Sequence, residues 1–457
     1  MFDAIIIGTG QAGPPLARRF AKEGHSVAII EQNHFGGTCV NYGCTPTKTL
    51  VADAKIAHSI KNGSFYGMNA DFQIDFKKIK ERKDSIVNSF SKGVEKSLKS
   101  LEHAKVYEGK ATFISANQIA IGKEVIEAEK IFINVGSKTY IPEIPGLANV
   151  PYLTNISLLD IDKLPEHLLI LGGGYIAAEF AQIFIRFGSK VSIIERSPMI
   201  MHREDPDISQ ALEEIFKNEG VDIYTNALNF EVLPNSKEGN IQVQFEQNHI
   251  KQKITGSHLL LAIGRVPNTD GLSLEKANIK TNSRGYIEVN DQLQTSQPHI
   301  WAVGDCNGKG AFTHTSYNDY EIVAENLFDN GTRKVSDRIP IYALFTDPPL
   351  GRVGLTEKEA RELNLELQIA TLPMTKVSRA IEKGETEGFL KILVDGKTKQ
   401  ILGASFLGVD CDEVVQVIAL AMTAKLPYSA IKKTVFIHPT VTELIPSLLD
   451  KLQPAAP

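Results

Sequence analysis

The chain has 457 residues, 42% hydrophobic and 23% charged, a composition typical of a globular protein with two to four domains and large buried cores. Its net charge of -5 gives no reason to expect nucleic acid or an anionic membrane as a partner. Only four cysteines occur, so disulfides do not hold the fold together. The N-terminus enters a strand pattern without the basic segment of a signal peptide, and the cytoplasm is the expected compartment.

The first predicted element is a strand that ends in a glycine-rich loop. The apolar run 5–7 leads into Gly8-Thr9-Gly10-Gln11-Ala12-Gly13 and a helical pattern, and a second strand, 27–30, ends in Glu31. Glycines at these spacings let the backbone approach a pyrophosphate on the helix N-terminus. The terminal glutamate can accept hydrogen bonds from a ribose. The pattern therefore predicts a dinucleotide site.

A pair of cysteines follows this loop. Cys39 and Cys44 lie within the glycine-rich run 36–48, and Cys44 directly precedes Thr45-Pro46. Proline is favoured in the first turn of a helix, and a helix N-terminus lowers the pKa of a thiol. The pair is interpreted as redox-active or metal-binding, against the alternative of two small buried hydrophobic residues.

The same pattern occurs a second time further along the chain. The strand 168–171 leads into Gly172-Gly173-Gly174-Tyr175-Ile176-Ala177, and the strand 191–194 ends in Glu195. The first glycine and the glutamate are 23 residues apart in both copies. One glycine pattern is weak evidence, but two copies in the same context favour two dinucleotide sites.

The remaining segments complete an α/β protein. Long polar helices are predicted over 53–105, short strands over 114–135, and a strand at 299–303 that ends in Gly304-Asp305. The C-terminal third has a different pattern, with an antiparallel strand pair and an apolar helix but no nucleotide signature. We expect two Rossmann-like dinucleotide-binding domains and a C-terminal α+β module.

The order of these motifs, closed by His438-Pro439-Thr440, resembles the flavoprotein pyridine nucleotide-disulfide oxidoreductases. That family includes glutathione reductase, dihydrolipoamide dehydrogenase and mercuric reductase. The resemblance covers essentially the full length. It implies an FAD-binding domain over 1–147 and 270–335, an NAD(P)-binding domain over 148–269, and a dimerisation domain over 336–457.

The resemblance implies FAD in the first unit and NADH or NADPH in the second. The residues expected to contact FAD are Gly8, Gly10, Gly13, Glu31, Thr38, Gly136 and Asp305. Those expected to contact the nicotinamide nucleotide are Gly172, Gly174, Tyr175, Ala177, Glu195, Arg196 and Gly264. Tyr175 matches the tyrosine that covers the nicotinamide pocket. Glu195 favours the free 2′-hydroxyl of NADH, although Arg196 lies where NADPH-specific relatives carry an arginine; NADH is expected.

Six catalytic residues are implied: Cys39, Cys44, Lys48, Glu179, His438 and Glu443. Cys44 is expected as the thiolate in contact with the flavin, and Cys39 as the thiol that attacks the acceptor. Lys48 and Glu179 match an ion pair beside the flavin ring. NADH or NADPH would reduce the flavin, the flavin would open the Cys39–Cys44 disulfide, and the dithiol would reduce the acceptor.

The late histidine implies a dimer. His438 resembles the general acid/base that protonates the leaving thiol, and Glu443 the acid that orients it, because histidine titrates near neutrality. In this family the histidine reaches the flavin site of the other subunit, so a homodimer is expected.

The acceptor is the open question. The segments 203–206 and 345–354 look closest to mercuric reductase-like proteins and to reactive-chlorine-resistance flavoproteins that reduce copper. Mercuric reductases, however, end in a vicinal cysteine pair and carry tyrosine where this chain has His438. A disulfide acceptor is expected, with Cu(II) or Hg(II) reduction, dihydrolipoamide dehydrogenase activity and a non-enzymatic flavin sensor as alternatives. Cys306 is expected to pack near the flavin, and Cys411 to be incidental.

Overall fold

The computed structural model describes residues 1–234 and 240–455. The N-terminal elements are β1 (Phe2–Ile7), α1 (Gly13–Lys22), β2 (Val27–Glu31), α2 (Gly37–Asn41), α3 (Cys44–Lys61), α4 (Phe76–Lys99), β3 (Ala104–Glu108), β4 (Ala111–Phe113), β5 (Gln118–Ile121), β6 (Glu124–Ile133) and β7 (Ser137–Thr139). The central elements are α5 (Asn155–Leu158), β8 (His167–Leu171), α6 (Tyr175–Phe187), β9 (Lys190–Ile194), α7 (Pro206–Asn218), β10 (Asp222–Tyr224), β11 (Leu228–Pro234), β12 (Ile241–Gln247), β13 (Ile250–Gly256), β14 (His258–Leu261) and β15 (Arg265–Pro267). The C-terminal elements are β16 (Ile300–Ala302), α8 (Thr313–Phe328), β17 (Ile341–Leu344), β18 (Leu350–Gly354), α9 (Glu357–Glu362), β19 (Leu367–Pro373), α10 (Ser378–Lys383), β20 (Phe389–Asp395), β21 (Ile401–Leu407), α11 (Cys411–Thr423), α12 (Tyr428–Lys432), α13 (Ile445–Leu449) and β22 (Gln453–Pro454).

The first sheet runs in the order β3-β2-β1-β6-β5-β4, and β16 also pairs with β6. Strands β1, β2, β3, β6 and β16 are parallel. Helices α1, α4 and α8 bury one face of this sheet, and β4, β5 and the segment 272–287 bury the other. The carboxyl ends of parallel strands meet at one edge, so Gly8, Asn134 and Gly304 lie together there.

The second parallel sheet has the order β10-β9-β8-β14, beside an antiparallel sheet of β11, β12 and β13. Here the glycine loop that begins at Gly172 follows β8, as Gly8 follows β1. The strands β7 and β15, where the chain enters and leaves this region, pair with each other in antiparallel fashion.

The third sheet is antiparallel and has the order β17-β18-β21-β20-β19-β22. Helix α11 packs on it, with Val415 and Ile418 buried together with Val353 and Phe406. This module confirms the expected C-terminal α+β architecture, and the α/β fold with two Rossmann-like units is confirmed with it.

One apolar core joins helix α3 to the second and third sheets where the site is built. Leu50 of α3, Phe180 of α6 and Leu344 of β17 are buried in the same cluster. Because α3 and α6 both begin at functional loops, this packing fixes the cysteine pair relative to the second glycine loop. Among the described residues, no helix is both long and apolar enough to cross a membrane.

Candidate active site

A connected cavity of about 2640 Å³ lies along the edge where the two parallel sheets end. It is larger than the roughly 300–1,000 Å³ of a pocket for one drug-sized ligand, so it has room for more than one. It is lined by these predicted residues: Gly8, Gly10, Glu31, Thr38, Cys39, Cys44, Lys48, Gly136, Gly172, Gly174, Tyr175, Glu179, Glu195, Arg196, Gly264 and Asp305. The predicted residues outside the lining are Gly13, Ala177, His438 and Glu443.

The first glycine loop forms a cradle that side chains would fill. Gly8 has a φ of +103°, and a Cβ there would lie 2.4 Å from the backbone oxygen of Asn134. A Cβ on Gly13 would lie 2.4 Å from the backbone oxygen of Gly8. The Thr9 N–H donates to Glu31 Oε2 at 3.0 Å, which holds the carboxylate against the loop. This arrangement fits the pyrophosphate and ribose of a dinucleotide.

The second glycine loop repeats this geometry. Gly172 has a φ of +106°, and a Cβ there would lie 2.5 Å from the backbone oxygen of Ala262. The Gly173 N–H donates to Glu195 Oε2 at 2.5 Å, and the N–H two residues after Glu195 donates to its Oε1 at 2.6 Å. Arg196 is exposed at the cavity wall. The second cradle therefore also fits a dinucleotide, with a buried carboxylate and an exposed arginine.

The cysteine pair lies between the two cradles. Cys39 belongs to α2, and Cys44 is the first residue of α3, as its neighbouring proline indicated. Both are free thiols, and Cys44 Sγ lies 3.3 Å from the hydroxyl of Thr313, the first residue of α8. A hydrogen bond from Cys39, with help from Thr313 and Lys48, lowers the pKa of Cys44 to about 6. The same thiol–thiol hydrogen bond, together with burial, raises the pKa of Cys39.

A charged pair lies beside the cysteines, with its lysine in the same helix as Cys44. Lys48 Nζ donates to both carboxylate oxygens of Glu179 at 2.7 Å, and the Phe345 N–H donates to Glu179 at 3.1 Å. The Lys48 ammonium also lies 4.7 Å from the centre of the Phe345 ring. The structure thus brings together the predicted ion pair and keeps a positive charge one helical turn from Cys44.

Asp305 is held at the end of β16 by hydroxyl and backbone contacts. The Ser137 hydroxyl donates to Asp305 Oδ2 at 2.6 Å and accepts from Arg265 Nε at 2.9 Å. The preceding Gly304 N–H donates to the buried Asp319 at 2.8 Å. These contacts aim a carboxylate into the cavity, on the side of the first cradle.

His438 and Glu443 form a pair on the surface of the C-terminal module. His438 Nδ1 lies 3.0 Å from both carboxylate oxygens of Glu443. The His438 side chain is 73% exposed, and its apolar neighbours Val435 and Ile437 are 96% and 79% exposed. Exposed apolar residues beside a hydrogen-bonded charged pair indicate an interaction surface. Within one copy of the chain this pair stays apart from the cavity.

The other two cysteines are poor candidates for redox chemistry. Cys306 is fully buried and its thiol donates to the backbone oxygens of Ile133 and Val303 at 3.4 Å. Burial raises the pKa of Cys306 to about 12, and burial followed by the adjacent aspartates raises that of Cys411. Neither would form a thiolate near neutral pH.

Comparison with known proteins identifies the family. Residues 2–319 match the family model "Pyridine nucleotide-disulphide oxidoreductase", and residues 341–448 match that family's dimerisation domain. The chain belongs to the pyridine nucleotide-disulphide oxidoreductases. It is thus an FAD-dependent NAD(P)H oxidoreductase of the class that works through a redox disulfide, as the resemblance implied.

Individual members of the family resemble it over almost the whole length. A probable pyridine nucleotide-disulfide oxidoreductase of Escherichia coli, RclA, is 40% identical, over 98% of this chain and 99% of the relative. A mercuric reductase of Staphylococcus aureus is 33% identical, over 92% and 77% respectively. A solved structure described as the Cu(II) complex of the HOCl-induced flavoprotein disulfide reductase RclA superposes with a TM-score of 0.89, at 40% identity and with 98% and 99% of the two chains covered. The expected similarity to mercuric reductases and to a flavoprotein induced by a reactive chlorine species is confirmed.

Two residues of this site lie outside the sequence motifs. Thr313 contacts Cys44 across 269 positions of sequence, and Glu204 binds the hydroxyl of Tyr175. One weak feature of the sequence could have indicated Thr313: it begins a helical pattern soon after the Gly304-Asp305 motif. Glu204 lies in the segment 203–206 that had drawn attention only through its similarity to relatives.

Proposed function

We propose that the first cradle binds FAD and the second binds NAD(P)H, as the sequence predicted for the two glycine-loop units. Two repeated glycine loops with a glutamate bound back to each support this assignment. The FAD residues would be Gly8, Gly10, Gly13, Glu31, Thr38, Gly136 and Asp305, and the nicotinamide nucleotide residues Gly172, Gly174, Tyr175, Ala177, Glu195, Arg196 and Gly264. The corresponding domains would be 1–147 with 270–335, 148–269, and 336–457; the β7–β15 pair near the second boundary supports this division.

The bound cofactors supply the hydride and electron-transfer chemistry of the reaction. The chain's own residues prepare the thiols. Cys44 is kept as a thiolate by Cys39, Thr313 and the start of α3. Lys48, oriented by Glu179, places a positive charge on the same cavity wall and stabilises negative charge that develops there.

The acceptor we propose is a disulfide, and the His438–Glu443 geometry carries this proposal. Cys39 attacks one acceptor sulfur and forms a mixed disulfide, while the other sulfur leaves with the electron pair. His438 of a second copy takes the proton of the Cys39 thiol and gives it to this leaving sulfur; Glu443 holds Nδ1 and leaves Nε2 for both transfers. The Cys44 thiolate then attacks Cys39 Sγ and displaces the first sulfur, which takes a proton from solvent, so that a Cys39–Cys44 disulfide forms and the acceptor becomes a dithiol.

The test is an anaerobic reduction followed by a panel of acceptors. The protein is reduced with NADH, the absorbance band of a thiolate close to oxidised flavin is recorded, and reoxidation by oxidised glutathione, lipoamide, Cu(II) and Hg(II) is timed. We expect the band and fast reoxidation by a disulfide. No band would contradict the roles of the cysteines, and reoxidation by metal ions alone would contradict the disulfide acceptor.

Cu(II) reduction is the second candidate, because a relative with 40% identity has been solved as a Cu(II) complex. A thiolate with a pKa of about 6 suits a soft reduced copper product, and one-electron transfer to a metal needs no proton donor. The His438→Gln variant distinguishes the two proposed acceptors. It should lose disulfide reduction and keep Cu(II) reduction.

The remaining proposals concern the nucleotide, the assembly and the compartment. We propose a preference for NADH, because the buried Glu195 carboxylate would repel a 2′-phosphate. A tenfold higher kcat/KM with NADPH would contradict it.

The match of residues 341–448 to a dimerisation domain supports a homodimer, measurable by light scattering. We place the protein in the cytoplasm, where a cysteine pair can be returned to the dithiol state.

A further inference from the structure

A buried hydrogen-bond network converges on Glu204, which follows the second glycine unit. Its Oε1 accepts from the hydroxyl of Tyr175 at 2.9 Å and from that of Tyr342 at 2.6 Å. Its Oε2 accepts from Arg352 at 3.2 Å, and Arg352 also donates to Ser405 at 2.6 Å. The side chains of Glu204 and Arg352 are 0% and 2% exposed. The network therefore joins Tyr175, at the start of α6, to three strands of the C-terminal sheet, β17, β18 and β21.

Tyr175 lies on the route from the second cradle to the cysteines. It follows the glycine loop directly, and Glu179, one helical turn later on the same face, holds Lys48 near Cys44. The Tyr175 ring makes edge contacts with Phe312 at 6.1 Å and Tyr342 at 5.5 Å. A ring that extends from the cradle toward the thiols would meet the ring of Tyr175 first.

We propose that Glu204 is a positioning residue that latches Tyr175 over the nicotinamide end of the cavity, and that Tyr175 leaves Glu204 when the nicotinamide nucleotide binds. The inference rests on the proposed place of that nucleotide in the second cradle. Its new content is the latch, by which we mean the hydrogen bond from the Tyr175 hydroxyl to Glu204. This bond can break while Tyr342 and Arg352 of the C-terminal module stay bound to the same carboxylate.

The partners that remain explain why the latch can open. Burial raises the pKa of both Tyr175 and Tyr342, so both hydroxyls stay protonated and donate to the carboxylate. When Tyr175 leaves, Tyr342 still satisfies Oε1 and Arg352 still satisfies Oε2. A buried acceptor that loses its last donor carries a large desolvation penalty, whereas one that keeps a donor does not.

This arrangement predicts opposite effects for two conservative variants. Tyr175→Phe keeps the ring and removes the hydrogen bond, so the open state becomes more populated and the nucleotide binds more tightly. Tyr342→Phe makes Tyr175 the sole hydroxyl on Oε1, so opening would leave that oxygen unpaired and binding should weaken. Each change in Kd should be roughly ten- to hundredfold, the range of one hydrogen bond to a charged group.

The measurement is calorimetric titration of the oxidised, FAD-loaded protein with NAD⁺ and NADP⁺, which gives Kd without turnover. ADP-ribose, which lacks the nicotinamide ring, is titrated in parallel with its 2′-phosphate form. Tyr66→Phe is the matched control, because the Tyr66 hydroxyl also crosses to the C-terminal module, donating to Lys383 O at 2.6 Å, outside the cavity lining.

The latch requires that Kd for the nicotinamide nucleotide falls in Tyr175→Phe and rises in Tyr342→Phe, with Kd for ADP-ribose unchanged in both and all values unchanged in Tyr66→Phe. Shifts in the same direction, or equal shifts with ADP-ribose, would overturn the latch and leave the nucleotide site in place. No shift in either variant would instead overturn the position proposed for Tyr175 over that site, and the latch with it.

Discussion

The cysteine pair, which we call the cavity end of the site, and the His438–Glu443 pair, which we call its surface end, are built in different ways. The cysteine pair lies in the cavity, where Thr313 and Lys48 of the same chain already act on Cys44. The His438–Glu443 pair is hydrogen-bonded but 73% exposed at His438, among exposed apolar residues. We propose that the group that forms a thiolate is completed by its own chain, whereas the group that protonates the acceptor acts at the cysteines of a second copy. The difference predicts which defects one copy can correct in another.

The largest effect is expected at the cavity end. Cys39→Ser and Cys44→Ser should each reduce acceptor turnover to background, because the exchange needs two thiols that can pair. Steady-state assays with oxidised glutathione, lipoamide and Cu(II) measure it. Cys411→Ala, a change at a buried thiol with a raised pKa, is the control and should keep activity. Turnover in Cys39→Ser comparable to the native protein would contradict the two-thiol relay.

His438→Gln should lower disulfide reduction by roughly 10²- to 10⁴-fold, the usual contribution of a general acid. Mixing tests whether the histidine acts across the dimer. If inactive Cys39→Ser and His438→Gln chains are unfolded, mixed equally and refolded, half of the dimers are hybrids with one intact site, so about a quarter of the activity should return.

The mixture distinguishes two geometries. A histidine that served the cysteines of its own chain would restore nothing on mixing, and this result would remove the contrast between the two ends. Refolded native protein, carried through the same procedure, gives the yield against which the hybrid is scaled.

Local patterns predicted the cavity end well because its parts are close in sequence. Gly8 to Glu31 form one strand–helix–strand unit, and Cys44 begins a helix because Pro46 follows. The Lys48–Glu179 pair was reached through family resemblance, since no local rule joins residues 131 positions apart. Thr313 and Glu204 were missed for the same reason. Thr313 begins α8, whereas its partner Cys44 begins α3. Glu204 takes two of its partners, Tyr342 and Arg352, from the C-terminal sheet.

A carboxylate orients a nitrogen-bearing side chain in both regions: Glu179 binds Lys48, and Glu443 binds His438. The roles of the two carboxylates can be compared directly. Glu179→Gln and Glu443→Gln keep the shape of the side chain and remove its charge. We expect an activity loss of about tenfold in each, the scale of one weakened hydrogen bond to a charged group. Glu443→Gln should affect disulfide reduction alone, whereas Glu179→Gln, because Lys48 serves every acceptor, should slow Cu(II) reduction as well. Equal acceptor profiles in the two variants would contradict the division of roles.

The smallest expected effect separates Thr313 from the other contacts of Cys44. Because the pKa of Cys44 is lowered to about 6, its thiolate is present above that pH and is lost as the pH falls through it. Thr313→Val removes one hydroxyl contact, so the midpoint should rise by up to about one unit toward the ordinary thiol value. Near pH 6 the thiolate population, and the rate that depends on it, should fall by roughly fivefold, with little change two units higher.

The thiolate's ultraviolet absorbance, followed against pH in the reduced protein, measures that midpoint. Thr49→Val is the matched control, since its hydroxyl donates to Thr45 O at 2.8 Å in the same helix. A midpoint that stays unchanged in Thr313→Val would assign the lowered pKa to Cys39, Lys48 and the helix N-terminus. A midpoint that moves only in Thr313→Val would show that a hydroxyl 269 positions away in the same chain helps to lower the pKa of Cys44.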